Sequence, residues 1–263
     1  MHRHPHTTLI TAEAPVATAT HGGRAKCLQR LVRLKLPVPT TVALSFEAVH
    51  ALAEGDLPDI SRIVSCFEPG TLLCVRPSSE DPDWGGPGAI LNVGMNDARL
   101  AELGVTLGSA GAAALYLRFV KAYATHVARL DPDAFEEVRG DSADALDAAL
   151  EIYEAEAEEP FPQDPVTQLG GVLKSMARAW EGTSARLLRQ AKGAPADAGL
   201  GLVVQEMIAG VGHGECGSGV LQLIDPDTGL PQIHGRYLSQ SQGREALGAG
   251  AEALYLAKDP RGR

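Results

Sequence analysis

The sequence predicts an α+β protein, and three observations carry that prediction. Residues 111 to 192 hold apolar stripes at helical spacing. Residues 199 to 250 hold β-rich runs separated by turn residues. Residues 21 to 110 mix the two patterns.

In the first part, Gly22-Gly23 leads into a helix with Cys27, Leu28, Leu31 and Val32 on one face, stopped by Pro37 and Pro39. Thr41 to Leu44 reads as a strand. Ser45 is placed to cap a helix that turns Phe46, Val49 and Leu52 inward. Thr71 to Val75 is an apolar run that reads as a buried strand, and Arg76 leaves it. The small residues Pro77, Ser78 and Ser79 and the glycines Gly85, Gly86 and Gly88 follow.

The helical part has three stripes: Leu115, Phe119 and Tyr123; Leu146, Leu150 and Tyr153 or Glu154, under a cap at Asp141 or Ser142; and Leu169, Val172, Leu173, Met176 and Trp180. Each reads as a core face. Glu158-Glu159-Pro160 and Pro162 to Pro165 read as an exposed connector. In the last part, Leu200 to Ile208 reads as a strand. Val220 to Ile224 and Gln232 to Leu238 flank the turn Asp225-Pro226-Asp227-Thr228-Gly229 and read as a hairpin. Gly210 to Gly219, with His213, reads as a glycine-rich loop.

At 263 residues the chain can bury a sizeable core. Its net charge of −10 argues against general binding to nucleic acid or a membrane surface. Arg24, Lys26, Arg30, Arg33 and Lys35 form a basic cluster, whereas residues 131 to 164 are strongly acidic and read as a solvated face. Cys27, Cys66, Cys74 and Cys216 lack paired spacing and read as free thiols of a reducing compartment, so a cytoplasmic protein is expected. No apolar run is long enough to span a bilayer, and residues 1 to 20 lack the apolar core of a secretory signal. His2, His4 and His6 read as part of a frayed terminus.

The chemistry concentrates around Arg76. A fixed guanidinium at a strand end, beside glycines that expose backbone N–H groups, can hold a phosphate; an ordinary loop is the alternative. The segments Val75-Arg76-Pro77-Ser78, Pro87-Gly88 and Leu91-Asn92-Val93-Gly94-Met95-Asn96-Asp97 resemble the nucleotide-binding domain of the pyruvate, phosphate dikinase and phosphoenolpyruvate synthase family. So, in the same order, do His21-Gly22-Gly23-Arg24, Leu36-Pro37-Val38-Pro39, Phe161-Pro162-Gln163-Asp164-Pro165 with Gln168-Leu169, Val204-Gln205-Glu206-Met207, Ser218-Gly219-Val220, Asp225 to Gly229 and Gln242-Gly243.

The resemblance implies an ATP-grasp-like fold: a lobe over 1–110, a helical insertion over 111–192 and a second lobe over 193–263. It implies ATP as ligand and a dikinase-like phosphotransferase, with a phosphohistidine carrier as separate partner. Neither that carrier nor the pyruvate/phosphoenolpyruvate domain has a counterpart in this sequence. Carried over by position, Arg24 and Arg76 are the candidate catalytic residues. Gly22, Gly23, Arg24, Arg76, Gln205, Glu206, Met207, Arg236 and Gln242 are the candidate nucleotide-binding residues. Gln242 is the candidate magnesium ligand.

The sequence also departs from the family. Arg24 replaces a lysine, with Lys26 close enough in sequence to compensate. Ala89-Ile90 shortens a loop that carries an aspartate and a threonine in the family. Gln222-Leu223-Ile224 lacks a cation. Arg236 replaces a glutamate, and a guanidinium repels the magnesium that a carboxylate would hold; Asp225, Asp227 and Glu245 are nearby carboxylates. The alternative reading is therefore a catalytically degenerate protein that binds a nucleotide or another anion in a regulatory role. A third is a domain kept for protein contacts alone.

Overall fold

The computed structural model describes residues 7–140, 142–225, 227–242 and 254–257. His2, His4, His6, Asp141, Pro226, Gly243 and Glu245, named above, lie outside the described residues. The chain is α+β with antiparallel sheets, in agreement with the predicted class. It divides into two compact units: one built from residues up to 100 with 113–207, the other from 101–112 with residues from 208 onward.

The first unit is a five-stranded antiparallel sheet layered by helices. Its strands are β1 (Thr7–Leu9), β2 (Thr41–Leu44), β3 (Leu73–Ser79), β4 (Ile90–Val93) and β5 (Leu200–Glu206), in the order β1-β2-β5-β3-β4. The run Leu200 to Ile208, grouped by sequence with the last part of the chain, thus supplies the centre of this sheet as β5.

Strand alternation sorts the two faces. One face carries Ala43, Val203, Cys74, Arg76 and Ser78 and is covered by α1 (Thr18–Arg33). Ile10, Val16, Ala25, Ala43 and Val203 form the buried cluster between this helix and the sheet. The other face receives α2 (Phe46–Glu54) and α7 (Pro165–Glu181). Ser45 caps α2 as expected, its side chain accepting from the Ala48 N–H at 3.2 Å. Leu169, Val172, Leu173, Met176 and Trp180 are buried as expected.

Several expectations are corrected. The first helix starts at Thr18, not after the glycines, and Gly22 is a kink inside it with φ +83. Cys27 is exposed; Ala25 and Gln29 hold the buried face instead. The strand at Arg76 does not end there but runs on to Ser79, because Arg76, Pro77, Ser78 and Ser79 all pair with β5. The Met207 N–H donates to the Leu72 carbonyl, so odd-numbered β3 residues direct their backbone groups away from β5. Pro77, which has no N–H, is one of them. The β3–β4 pairing has already stopped at Val75, so no ladder bond is lost. Two further helices, α3 (Ile60–Val64) and α4 (Asp97–Leu107), carry no sequence expectation, and α8 (Thr183–Ala191) falls in the part expected to be helical without a stripe of its own.

Most of the connector is exposed as expected: Glu158, Glu159, Pro160, Gln163 and Asp164 are exposed, and Pro162 and Pro165 are half-buried. Phe161 is buried at the centre of an aromatic cluster. Tyr116, Phe119 and Tyr123 of α5 (Ser109–Tyr123) and Tyr153 of α6 (Ala143–Ala157) meet it with centroids at 5.7, 5.6, 5.4 and 5.1 Å, all edge-on. In α6, capped by Ser142 as expected, Ala145, Leu146, Ala149 and Tyr153 are buried, while Glu154 is exposed. Asp164 caps α7, Pro165 occupies its first turn, and the buried Gln168 ties the Gly94 N–H to the carbonyls of Met95 and Pro162. Gln163 bonds the Tyr116 hydroxyl and the Asp97 N–H. This motif is therefore a structural latch.

The second unit holds a three-stranded antiparallel sheet of β6 (Gly217–Ile224), β7 (Pro231–Ser239) and β8 (Leu254–Ala257), with β7 in the middle. The predicted hairpin is β6–β7. Its turn is closed by the Asp225 carboxylate, which accepts from the N–H groups of Asp227 and Thr228.

Candidate functional site

The candidate residues of the first unit gather where α1 crosses β3. A Cβ on Gly22 would lie 1.8 Å from the Ser78 carbonyl oxygen, and one on Gly201 would lie 2.5 Å from the His21 carbonyl oxygen. Only glycines allow this approach at these two points. Ser78 fastens the kink: its hydroxyl donates to the His21 carbonyl at 2.7 Å and accepts from the Ala25 N–H at 3.0 Å. Just beyond the kink, the Arg24 guanidinium donates to the Pro77 carbonyl.

Arg76 stands two residues before Ser78 on the same face, and Cys74 two residues before Arg76. Burial pushes the Cys74 thiol up, and the positive charges of Arg76 and then Arg24 act against that shift. Gln205 sits opposite Cys74 in the β5 register. The structure thus brings Gly22, Gly23, Arg24, Arg76 and Gln205 into one region of the α1 face.

The neighbours have other tasks. The Gln205 side chain is buried and donates to the Thr41 hydroxyl at 2.9 Å. The Glu206 carboxylate accepts from the Thr40 N–H at 3.3 Å. The Met207 sulfur accepts from the Asn92 N–H at 3.0 Å. Lys26 does not stand in for Arg24: its ammonium donates to the Val16 carbonyl and to Gln29, each at 2.8 Å.

Sequence reasoning missed three residues here. Cys74 and Ser78 share a face with Arg76 by simple alternation, a signal the sequence does contain. His21 is 6% exposed; its Nδ1 meets the Thr20 hydroxyl at 2.8 Å, its Nε2 has no partner among the described residues, and burial lowers its pKa.

The other two candidates lie in the second unit. Arg236 is half-buried on β7 opposite Val220, and alternation puts it on the face that carries His234. Gln242 is 4% exposed. Among the described residues no three His, Cys, Asp or Glu side chains gather where they could hold a metal ion. The four cysteines are free thiols. No helix of the described residues is long and apolar enough to cross a membrane.

No family model matches the chain. It is similar to curated proteins of one name. It is 28% identical over 262 residues to the pyruvate, phosphate dikinase of Rhizobium meliloti (strain 1021), covering 86% of this chain and 29% of that protein. It is 30% identical over 195 residues to the pyruvate, phosphate dikinase of Clostridium symbiosum, covering 67% of this chain and 22% of that protein. The chloroplastic pyruvate, phosphate dikinase 1 of Zea mays is 25% identical over 261 residues, again over 86% of this chain and 28% of that protein. The chain spans less than a third of the length of these relatives. It belongs to the pyruvate, phosphate dikinase family, as the counterpart of one part of those longer proteins.

Proposed function

We propose that the chain is the ATP-binding part of a pyruvate, phosphate dikinase-like phosphotransferase, acting in the cytoplasm. The observation that carries this reading is that Arg76, on the β3 face covered by α1, and Arg24, just past the α1 kink at Gly22 and bonded to the Pro77 carbonyl, lie in one region of the first unit. Two guanidinium forks on rigid elements are what phosphate oxygens need. When bound, ATP supplies the phosphoryl group. Gly22 and Gly23 would give the phosphates close backbone approach, while Arg24 and Arg76 would orient them and neutralise charge that develops on transfer. Gln205, Glu206 and Met207 would border the base. A separate phosphohistidine carrier would receive the phosphoryl group.

For magnesium the fit is poor. Gln242 offers an oxygen, but Arg236 offers only donors, and no three His, Cys, Asp or Glu side chains among the described residues gather where they could hold a metal ion. Arg236 on β7 thereby favours a second reading, a regulatory protein that binds a nucleotide or other anion without metal and without turnover.

Calorimetric titration of ATP, with and without magnesium, tests both readings. Binding with a raised melting temperature is expected, as for any ligand taken up by the folded state, and Arg76→Gln should weaken it at least tenfold. No heat and no stabilisation at millimolar ATP would sink the nucleotide reading. Strong magnesium dependence, with transfer to an added carrier, would remove the regulatory alternative.

A further inference from the structure

On the sheet face opposite α1, a cavity of about 380 Å³ opens within the first unit. Its walls are Phe46 and Val49 of α2, Trp180 at the end of α7, Arg189 of α8, and Ala198 and Leu200 leading into β5. That volume lies in the range of small-molecule sites.

Helix α8 faces the wrong way for simple packing. Leu187 and Leu188 are 61% and 65% exposed, while Arg189 is 6% exposed. An amphipathic helix placed by burial alone would do the reverse. The Arg189 guanidinium lies 3.6 Å over the centre of the Trp180 ring and gives one hydrogen bond, from Nη1 to the Trp180 carbonyl at 2.6 Å. The indole is itself fixed, its Nε1–H donating to the Ala198 carbonyl at 3.1 Å.

No carboxylate pairs directly with Arg189 among the described residues. The nearby Glu181 is bonded to Arg186 at 3.1 Å and sits 3.8 Å from His50. Among the described residues this guanidinium makes one hydrogen bond and no direct ion pair, and its burial carries a desolvation cost. Stacking on Trp180 offsets part of that cost and pre-orients the fork.

We propose that this cavity is a second ligand site, taking a small monocarboxylate with an apolar body. The carboxylate would meet the Arg189 fork, and the apolar body would lie against Phe46, Val49 and Leu200. Glu181 and Asp197 border the space with His50 and Arg186, and Glu181 is paired with both of these, so the lining carries no excess of positive charge for a phosphate dianion beyond Arg189 and admits an amino acid as readily as a simple acid. The site is independent of the nucleotide reading, and no arm of its test contains ATP.

The test is calorimetry on the full chain with 3-phenylpropionate, L-phenylalanine, 3-phenylpropanol and inorganic phosphate. Saturable binding of at least one carboxylate is expected, at least tenfold tighter than the alcohol or phosphate. If only the amino acid binds, Glu181 and Asp197 take its ammonium; if both bind equally, Arg189 and the apolar wall suffice. Arg189→Gln should weaken binding at least tenfold. Because that change touches a buried group, Ala196→Phe is the companion variant: residue 196 is exposed at the cavity wall, and a ring there should block entry in a folded protein. Absence of saturable carboxylate binding by the folded wild-type chain would overturn the proposal. So would equal affinity for the alcohol, or affinity unchanged in Ala196→Phe.

Discussion

The two antiparallel sheets of this chain differ in what holds them. In the first unit, six of the seven residues of β5 are buried, and helices cover both faces. In the second, no residue of β6 is buried, and Leu221, Leu223 and Ile233 are each more than half exposed. The first sheet draws its stability from side chains removed from water. The second rests mainly on its ladder, the Asp225 turn and the Ser218–Ser241 hydroxyl pair at 2.7 Å. The same kind of substitution should therefore have very different costs in the two units.

The largest effect is expected at Phe161. Phe161→Ala would empty the centre of five aromatic rings and cost about 4 kcal/mol, read as a lowered urea midpoint; a loss below about 1 kcal/mol would mean the cluster repacks. Gly22→Ala comes next. It combines a left-handed backbone angle with a clash against the Ser78 carbonyl, for about 3 kcal/mol. Hydrogen exchange at the Ala25 amide should accelerate with it, and unchanged protection would show that the kink can relax.

Asp164→Ala removes the α7 cap and should cost about 1 kcal/mol. The Thr167 hydroxyl, then the Thr167 and Val166 N–H groups, hold the Asp164 pKa below its ordinary 3.8. A depressed carboxylate stabilises the fold above its unfolded pKa, and that contribution fades as pH falls through the lower folded value. Wild type and variant should thus differ at neutral pH and converge well below pH 3.8; a constant difference down to that range would contradict the cap. Leu221→Ser, on the exposed sheet, should change stability by less than about 0.5 kcal/mol. A large loss there would mean that Leu221 is covered in solution.

What the sequence made legible is what local chemistry decides. Ser45 and Ser142 announce their helices because a hydroxyl before an apolar stripe is a cap wherever it occurs. Leu169 to Trp180 announce a core face through spacing alone. Phe161 was not assigned to the core because its neighbours are prolines and carboxylates, and only tertiary packing reveals that the ring between them points inward. Lys26 was misplaced because proximity in sequence does not say which way a helix turns a side chain: Val16 and Gln29 capture it. Arg189 was silent because helical periodicity counts apolar residues, whereas here the arginine is the buried one. For the candidate site, Arg24 and Arg76 stood out individually, but the closeness of their elements depends on a crossing set by Gly22 and Gly201.

Pro77 has one more consequence. Past Val75, β3 no longer pairs with β4, so its outer side has no ladder partner among the described residues. An edge of this kind invites an extended segment of another molecule to pair with it. At Pro77 the edge has no N–H to offer, and its carbonyl is already taken by Arg24. Neither half of a ladder contact is available there. The proline and the arginine together make the site's own strand a poor template for aggregation.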